Sequence, residues 1–398
     1  MRTRFLIALA SAAQAMSLHA QDNGAAVTLP MPEPRPVVVG EPAQPWYRNV
    51  NVKGFAMIDF HTIRQDGGNT SSFGINMARV ALSGPVDAGR AGTFNWCAQL
   101  QVNGNVTSLG SSARLVDVFV EWRKFDFLRL TAGEFSLPFT LENDIHPVDL
   151  GFSDNSLPVL KLCAYSDRSG LRSSNGRDIG LSLAGDALFA SDGHPVLQYN
   201  LAVVNGQGIN TGDVDGNKTV VGRLNIEPVK GLRVSVSGLE GSVAREGELK
   251  AADGTDSATV TKSLYQHRYA LGAEWVSDDI VVRGEYIHST GSGFAVRDDG
   301  HTRDLTLSSL GDKADGFYAM ALVRIFKSAL PGPMRVKGRY DFYRPEGCTA
   351  GSQSTLQLGA DYWFTHNVGV MVEYSHVNDR TLARHNYNGY VMQVQLRF

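Results

Sequence analysis

The last nine residues of the chain, YVMQVQLRF (390–398), alternate between two kinds of side chain. One face of an extended strand would carry Tyr390, Met392, Val394, Leu396 and Phe398. The other face would carry Val391, Gln393, Gln395 and Arg397. An antiparallel sheet with one wet face alternates in this way. No core-covering element follows Phe398, so we expect something other than the chain to cover the apolar face.

The same two-residue period dominates the chain from Val50 onward, and helical periodicity is nearly absent. The stretches TFNWCAQLQV (93–102) and MRVKGRYDFY (334–343) show it most clearly. We count about sixteen such segments. They start near Val50, Phe73, Thr93, Arg114, Phe127, Arg177, Val196, Lys218, Gly231, Tyr265, Asp279, Gly316, Pro333, Thr355, Asn367 and Asn388.

The connections between these segments alternate in length. The long ones include Asn205–Asn217, Gly241–Leu264, Gly291–Asp315, Glu346–Ser354 and Asn378–His385. The short ones lie near 227, 276, 327 and 364. Long loops at one end and tight turns at the other are typical of outer-membrane barrels, whereas a soluble β-sandwich has no reason to sort its loops this way. The sequence therefore predicts an all-β, transmembrane antiparallel β-barrel of about sixteen strands, with long extracellular loops and short periplasmic turns.

A barrel also explains the apolar faces. In hydrocarbon every backbone N–H and C=O must be paired, so a sheet can span only if it closes on itself. Lipid then covers the outward residues and water fills the inside. Aromatic residues near strand ends are expected to form the two interfacial girdles. They are Trp96, Trp122, Trp275, Tyr286, Tyr340, Tyr362, Phe364, Tyr374 and Phe398.

The N-terminal region divides into two parts. Residues 1–20 have Arg2 and Arg4, then an apolar run and small residues, which predicts a cleaved secretory signal peptide. Residues 21–48 are rich in proline and predict an extended periplasmic lead-in. The barrel is expected to occupy residues 49–398. Beyond the signal peptide no run reaches the about 20 apolar residues that a membrane helix needs.

Composition excludes several classes of function. The formal net charge of −3 argues against a nucleic-acid partner. Three scattered cysteines offer neither a disulfide framework nor CxxC metal spacing. An outer-membrane enzyme is the competing class, but GLSLA (180–184) lacks the second glycine of GxSxG, and no HExxH motif occurs. Asp213, Asp215 and Asn217 resemble the start of a calcium loop, yet Lys218 replaces its glycine. We expect neither cofactor nor metal.

Alternation places many basic side chains on the inner face of the predicted barrel. They are Arg79, Arg129, Arg177, Arg223, Arg233, Arg268, Arg283, Arg335, Lys337, Arg339 and Arg397. The inward acids are Asp117, Glu121, Glu274, Glu285, Asp341, Asp361 and Glu373. Rows of Arg and Lys along a pore attract anions. The alternative is a wall of mutually neutralising charges in a general, non-selective porin.

One connection, residues 136–176, is far longer than the others. So long a structureless segment is usually functional, and inside a wide barrel it would form the constriction. Its charged candidates are Glu142, Asp144, Asp149, Lys161, Arg168 and Arg172. The alternative is a long extracellular flap. A mainly adhesive or structural barrel also stays open as a third class.

Three stretches resemble the phosphate-selective porin O and P family: GEFSLPFTLEN (133–143), GRDIGLSLAGD (176–186) and YNLAVVNGQGINTGDVDGNKTVVGRLNIEP (199–228). The resemblance implies a trimeric, sixteen-stranded porin whose third loop enters the channel, with phosphate or another anion as solute. Phe398 resembles the terminal aromatic signal that the barrel assembly machinery recognises. The implied partners are outer-membrane lipid, lipopolysaccharide, small anionic solutes and two further copies of the chain.

Overall fold

The structure of the protein is a computed structural model. It describes residues 49–65, 68–103, 112–168, 174–250, 257–295, 305, 307, 310–326, 330–347 and 349–398. The predicted signal peptide (1–20), the predicted lead-in (21–48) and Arg172 lie outside the described residues.

The sheet is a closed antiparallel barrel of sixteen strands, as the alternation predicts. The strands are β1 (Asn51–Gln65), β2 (Gly68–Asp87), β3 (Thr93–Asn103), β4 (Ser112–Phe125), β5 (Leu128–Ser136), β6 (Arg177–Phe189), β7 (Pro195–Val204), β8 (Thr219–Val229), β9 (Leu232–Lys250), β10 (Ser257–Val276), β11 (Ile280–Thr290), β12 (Lys313–Ile325), β13 (Met334–Pro345), β14 (Gln353–Trp363), β15 (Val368–Asp379) and β16 (Asn386–Arg397). Each strand pairs with its sequence neighbours, and β1 closes the barrel against β16. At the seam Gly54 and Phe398 exchange two backbone hydrogen bonds of 2.9 Å each.

The described residues contain little helix. Among them one short α-helix, α1 (Leu157–Leu162), lies between β5 and β6. Three-residue 3₁₀ turns occupy Gly89–Ala91, Glu142–Asp144 and Pro147–Asp149. Among the described residues, no helix combines the length and the apolar character needed to cross a membrane.

The two faces of β16 divide as its sequence alternates. Val394 is 44% exposed on the outside of the barrel, whereas Gln393 is fully buried inside it. Leu396 and Gln395 repeat this contrast. Outward apolar side chains recur on the other strands, including Leu201 on β7 and Val282 on β11. In a barrel that spans a membrane, lipid covers this face, which answers the question that the last nine residues raise.

The prediction of a long loop over Gly241–Leu264 is wrong. β9 continues to Lys250 and β10 begins at Ser257, so most of that stretch is a two-stranded ribbon. Gly241 does not end β9. A Cβ at this position would stand 2.1 Å from the Thr219 hydroxyl, so the glycine permits a close approach of β8. β2 likewise starts at Gly68, earlier than Phe73.

Candidate functional site

Residues 137–176, here called the inserted loop, connect β5 to β6, and the described parts of the loop, residues 137–168 and 174–176, run inside the barrel. They pack against interior side chains from most of the wall. The shared apolar core contains Leu137, Phe139, Phe152, Val159 and Leu162 from the loop. The wall contributes Ala202, Val204, Val221, Leu239, Ala270, Ile287, Tyr318, Met320 and Leu322. Apolar side chains that face inward on β7 to β12 are therefore covered by the loop and not by water.

The backbone of the inserted loop follows the wall closely. Gly151 has a φ of +89°, which favours glycine, and a Cβ there would meet the Leu322 side chain at 2.6 Å. At the root of the loop the Asn143 side-chain amide donates to the Ser136 hydroxyl and to the carbonyls of Leu137 and Gly176, each at 3.0 Å. Asn143 thus ties both ends of the loop together.

Wall carboxylates accept hydrogen bonds from the loop backbone. Glu285 on β11 accepts from the N–H groups of Leu141 and Glu142 at 2.5 and 3.1 Å. Glu373 on β15 accepts from the Ser153 N–H at 3.0 Å and from its hydroxyl at 2.5 Å. A buried loop without regular secondary structure needs such partners for its backbone groups. These acids therefore hold the loop.

Several of the predicted pore-lining cations have the same task. Arg268 on β10 donates to the carbonyls of Leu162 and Ser166 at 2.8 and 2.9 Å. Lys337 on β13 donates to the Gly151 carbonyl at 2.7 Å. Arg339 donates to the carbonyls of residues 154 and 155 at 2.9 and 3.2 Å. These cations lie inside the barrel, but they contact the loop and not an open channel.

The other predicted basic residues also face the interior, and most contact a wall carboxylate. The pairs are Arg129–Asp186 at 2.8 Å, Arg177–Asp117 at 2.9 Å, Arg335–Asp361 at 2.9 Å, Arg283–Glu274 at 2.8 Å and Arg233–Glu274 at 3.1 Å. Arg79 donates to the Gln101 side chain at 2.7 Å. Charge neutralisation across neighbouring strands, which the sequence analysis left as the alternative, therefore dominates locally. A role of these residues in binding anions stays a prediction.

The charged residues of the inserted loop are spread through the lumen. Asp144 forms an ion pair with Arg223 on β8, and Asp149 with Arg397 on β16 at 2.9 Å. The Glu142 side chain turns back and accepts from the Ser156 N–H at 2.5 Å. Arg168 donates to the carbonyls of residues 291 and 310 in the β11–β12 connection.

Burial changes the acid–base behaviour of three loop side chains. It raises the pKa of the Asp154 carboxyl to about 7, with further increases from the charges of Glu373 and Asp59. Burial lowers the pKa of Lys161, against the attraction of Asp379. Burial also raises the pKa of the Cys163 thiol to about 12, so this cysteine is unreactive while the loop is docked.

A cavity of about 160 Å³ remains between the inserted loop and the wall from β3 to β8. Its basic lining residues are Arg123, Arg129 and Arg223, and its acidic ones are Asp117, Glu121, Asp144 and Asp186. Side-chain amides of Asn95, Gln198, Asn200 and Asn225 complete the polar lining. We call this space the open passage. It can offer weak, exchangeable contacts to a small polar or charged solute.

Sequence reasoning missed two contributions to this interior. Arg245 on β9 forms a buried ion pair with Asp167 of the inserted loop at 3.1 Å, and it stacks over the Phe294 ring. The misplaced loop at 241–264 concealed it. The environment of Asp154 was the second, because a lone acid in an irregular stretch carries no pattern that predicts the burial of its Oδ1 atom.

Comparison with known proteins finds one family match. The model of the family described as "Phosphate-selective porin O and P" matches residues 50–200. This part of the chain, which is similar to that family, contains strands β1 to β6, the inserted loop and the first part of β7. None of the curated proteins matches the chain.

Solved structures of porins share the fold of this chain. The anion-selective porin from Comamonas acidovorans is 13% identical, with a TM-score of 0.61 over 88% of this chain and 99% of its own. OmpF of Salmonella typhi, in complex with daunomycin, is 12% identical with a TM-score of 0.59 over 88% and 98%. The outer-membrane channel DcaP of Acinetobacter baumannii is 12% identical with a TM-score of 0.54 over 88% and 97%.

The family match over residues 50–200 and the closed barrel of sixteen strands support an outer-membrane porin channel. Both features are typical of a channel rather than of an enzyme. The prediction of a porin barrel from alternating strands is confirmed.

Proposed function

We propose that the porin is a passive diffusion channel with a moderate preference for small anions, which cross the barrel along the open passage. The observation that carries the proposal is the lining of that passage. Three arginine side chains reach it, beside four carboxylates and four side-chain amides. Arginine suits oxyanions because its planar fork can donate two hydrogen bonds at once.

The preference is moderate because each guanidinium already has an acidic neighbour. Arg129 contacts Asp186, Arg223 contacts Asp144, and Arg123 lies 3.2 Å from Asp126. An anion that enters the passage competes with these carboxylates, so it binds weakly and leaves readily. Conduction needs sites of this kind, which admit a solute without retaining it. Strict phosphate specificity would require arginines without such neighbours.

A general, non-selective porin is the second candidate. It is favoured by the balance of charge in the open passage, where three arginines face four carboxylates. The two functions differ in one measurable quantity, the reversal potential in a salt gradient.

The test is recording in a planar lipid bilayer with a potassium chloride gradient, followed by replacement of chloride with phosphate. We expect a reversal potential whose sign shows that anions cross the channel more readily than cations. Changing Arg123 and Arg129 together to Glu should move it toward cations, because the passage loses two positive charges and gains two negative ones. Arg380→Glu, at an exposed position outside the barrel wall, is the control. A double variant with the wild-type reversal potential would refute the anion role, and a wild-type value near zero would favour the general porin.

The same proposal includes the setting of the channel. We infer that residues 1–20 are removed on export, that residues 21–48 form the lead-in and that the barrel contacts lipid and lipopolysaccharide. A homotrimer is supported by OmpT of Vibrio cholerae, which is described as a trimer form and shares the fold with a TM-score of 0.53 at 11% identity. Assembly by the barrel machinery would read Phe398.

A further inference from the structure

The inserted loop is held in the lumen by two kinds of contact. Its first part, residues 137–145, and its last part, residues 157–165, contribute most of the loop's apolar core residues. The middle part, residues 146–156, is here called the crossing segment. It crosses the lumen to β13, β15, β16, β1 and β2, and hydrogen bonds and ion pairs to wall side chains hold most of it.

The polar contacts of the crossing segment are few and specific. They are Arg397 to Asp149 at 2.9 Å, Lys337 to the Gly151 carbonyl at 2.7 Å, Ser153 N–H to Glu373 at 3.0 Å, Asn76 to the Ser153 carbonyl at 3.1 Å and Arg339 to the Asp154 carbonyl at 2.9 Å. Two apolar side chains add to them. Val148 packs with Phe55, Met57, Met77 and Trp363, and Phe152 lies under the cations of Lys337 and Arg339.

The crossing segment closes one side of the barrel. Toward the long-loop end, the interior side chains of Gln357 and Tyr387 are half-buried. Toward the short-turn end, Arg335 and Arg397 are partly exposed. Between these two levels Glu373, Gln393 and Gln395 are buried. Water-accessible wall therefore lies on both sides of the crossing segment, which separates the two.

Asp154 is the residue at which the crossing segment is held to the wall least firmly. Its Oδ1 atom is buried with no hydrogen-bond partner in the described part of the chain. The charges of Asp59 on β1 and Glu373 on β15 oppose ionisation of its carboxyl group, whereas the charge of Arg339 on β13 and the Asn76 side chain on β2 favour it. Lys337 lies 2.7 Å from Glu373, so its charge is shared with that carboxylate.

We propose that the crossing segment is a gate, and that ionisation of the Asp154 carboxyl loosens it from the wall. An ionised Asp154 would place a third negative charge beside those of Glu373 and Asp59. The segment would then move away and open a second path along β15, β16, β1 and β2. This inference rests on the proposed channel function, to which it adds regulation by pH.

The location of the gate follows from what each part of the loop covers. Moving the first or last part would expose apolar wall such as Leu239 and Ile287 to water, at about 25 cal/mol for each Å² exposed. The wall under the crossing segment is mixed: beside the apolar cluster around Val148 it presents the polar side chains of Asn76, Gln393 and Gln395, which can hydrate. The crossing segment is thus the part of the loop that can leave at least cost.

The direction of the pH effect follows from linkage. The pKa of Asp154 is raised from 3.8 to about 7 in the docked state. A group whose pKa is raised in this way favours docking most strongly at low pH, and that contribution is lost as pH rises through about 7. The gate is therefore closed in acid and opens toward alkaline pH.

The first experiment records single-channel conductance at pH values from about two units below to about two units above the Asp154 pKa of about 7. We expect the conductance of the wild type to rise with a midpoint near that value. Asp154→Asn keeps the shape of the side chain without a charge, so its conductance should stay at the low level throughout. Asp213→Asn, in an exposed connection, is the matched control and should behave as the wild type. A wild-type pH profile in Asp154→Asn overturns the gate.

The second experiment does not depend on conduction. Hydrogen exchange, corrected for its intrinsic pH dependence, should show that the Ser153 amide loses protection as pH rises. The Cys163 amide, which donates to the Val159 carbonyl in the last part of the loop, should keep its protection. Equal behaviour of both amides overturns the gate. If no current passes at any pH while only the Ser153 amide loses protection, the proposed channel function is contradicted. The proposed movement of the crossing segment is still supported in that case.

Discussion

Arg268 shows what an inward charge does in this porin. Its guanidinium donates to backbone carbonyls of the inserted loop that lie about a hundred positions earlier in the chain. Glu285 complements it by accepting from loop N–H groups. The alternation of inward and outward side chains along each strand was enough to place both residues inside the barrel. It could not name their partners, because residues 160–166 carry no periodic pattern that selects one wall strand over another.

Replacing Arg268 with Met tests this anchoring. The variant keeps an apolar stem but leaves the carbonyls of Leu162 and Ser166 without their donor, at a cost of about 1–3 kcal/mol in docking of the loop. Hydrogen exchange over residues 160–166 should become faster. Arg380→Met, which removes an exposed guanidinium outside the lumen, is the control. Unchanged exchange in Arg268→Met would mean that the apolar contacts alone hold the loop.

At the scale of single elements, the alternation of side chains predicted the presence of each strand more accurately than its length. The predicted start of β3 at Thr93 and of β6 at Arg177 agree with the structure. The ribbon of β9 and β10 was missed because Gly241 resembles a terminator, whereas it admits the close approach of Thr219. Close packing between strands is a property of two elements, and one element's sequence does not contain it.

The lipid face of a strand can be tested on β7. Leu201 is 48% exposed on the outside of the barrel, and Gln198 lines the open passage. Leu201→Arg should destabilise the barrel by about 2–4 kcal/mol if the residue lies near the middle of the bilayer. Gln198→Arg introduces the same side chain on the wet face and should cost much less. Urea unfolding in lipid vesicles measures both, and equal losses would contradict the assignment of faces.

At the scale of the whole molecule, the sequence predicted the barrel wall better than the arrangement of the inserted loop in the lumen. The closed barrel follows from the alternation of its strands. The stretches at 133–143 and 176–186, which carry the family resemblance, lie within residues 50–200, where the family model matches, and the stretch at 199–228 lies almost wholly outside that match. The division of the lumen into the apolar core, the crossing segment and the open passage was not predicted. It depends on how residues 137–176 pack against wall strands that are distant in sequence, and no local pattern records that packing.

Phe398 gives a prediction for the assembled barrel. Its ring is 60% exposed and it stands beside Gly54, where a Cβ would lie 2.5 Å from the ring. If Phe398 serves as the assembly signal, Phe398→Ala should reduce the amount of folded barrel in the outer membrane. Phe364→Ala removes an aromatic ring that is 58% exposed on a neighbouring turn and should not. The heat-modifiable band of membrane fractions on a gel measures this. Equal amounts of folded protein in Phe398→Ala and Phe364→Ala would show that Phe398 is not the assembly signal.

The seam between β1 and β16 also has a consequence for biogenesis. Gly54 and Phe398 bond to each other although they lie in the first and the last strand, so the barrel cannot close until β16 has been synthesised. Every truncated product that lacks β16 would keep two naked strand edges, which are templates for aggregation. Ring closure therefore selects polypeptides that contain β16.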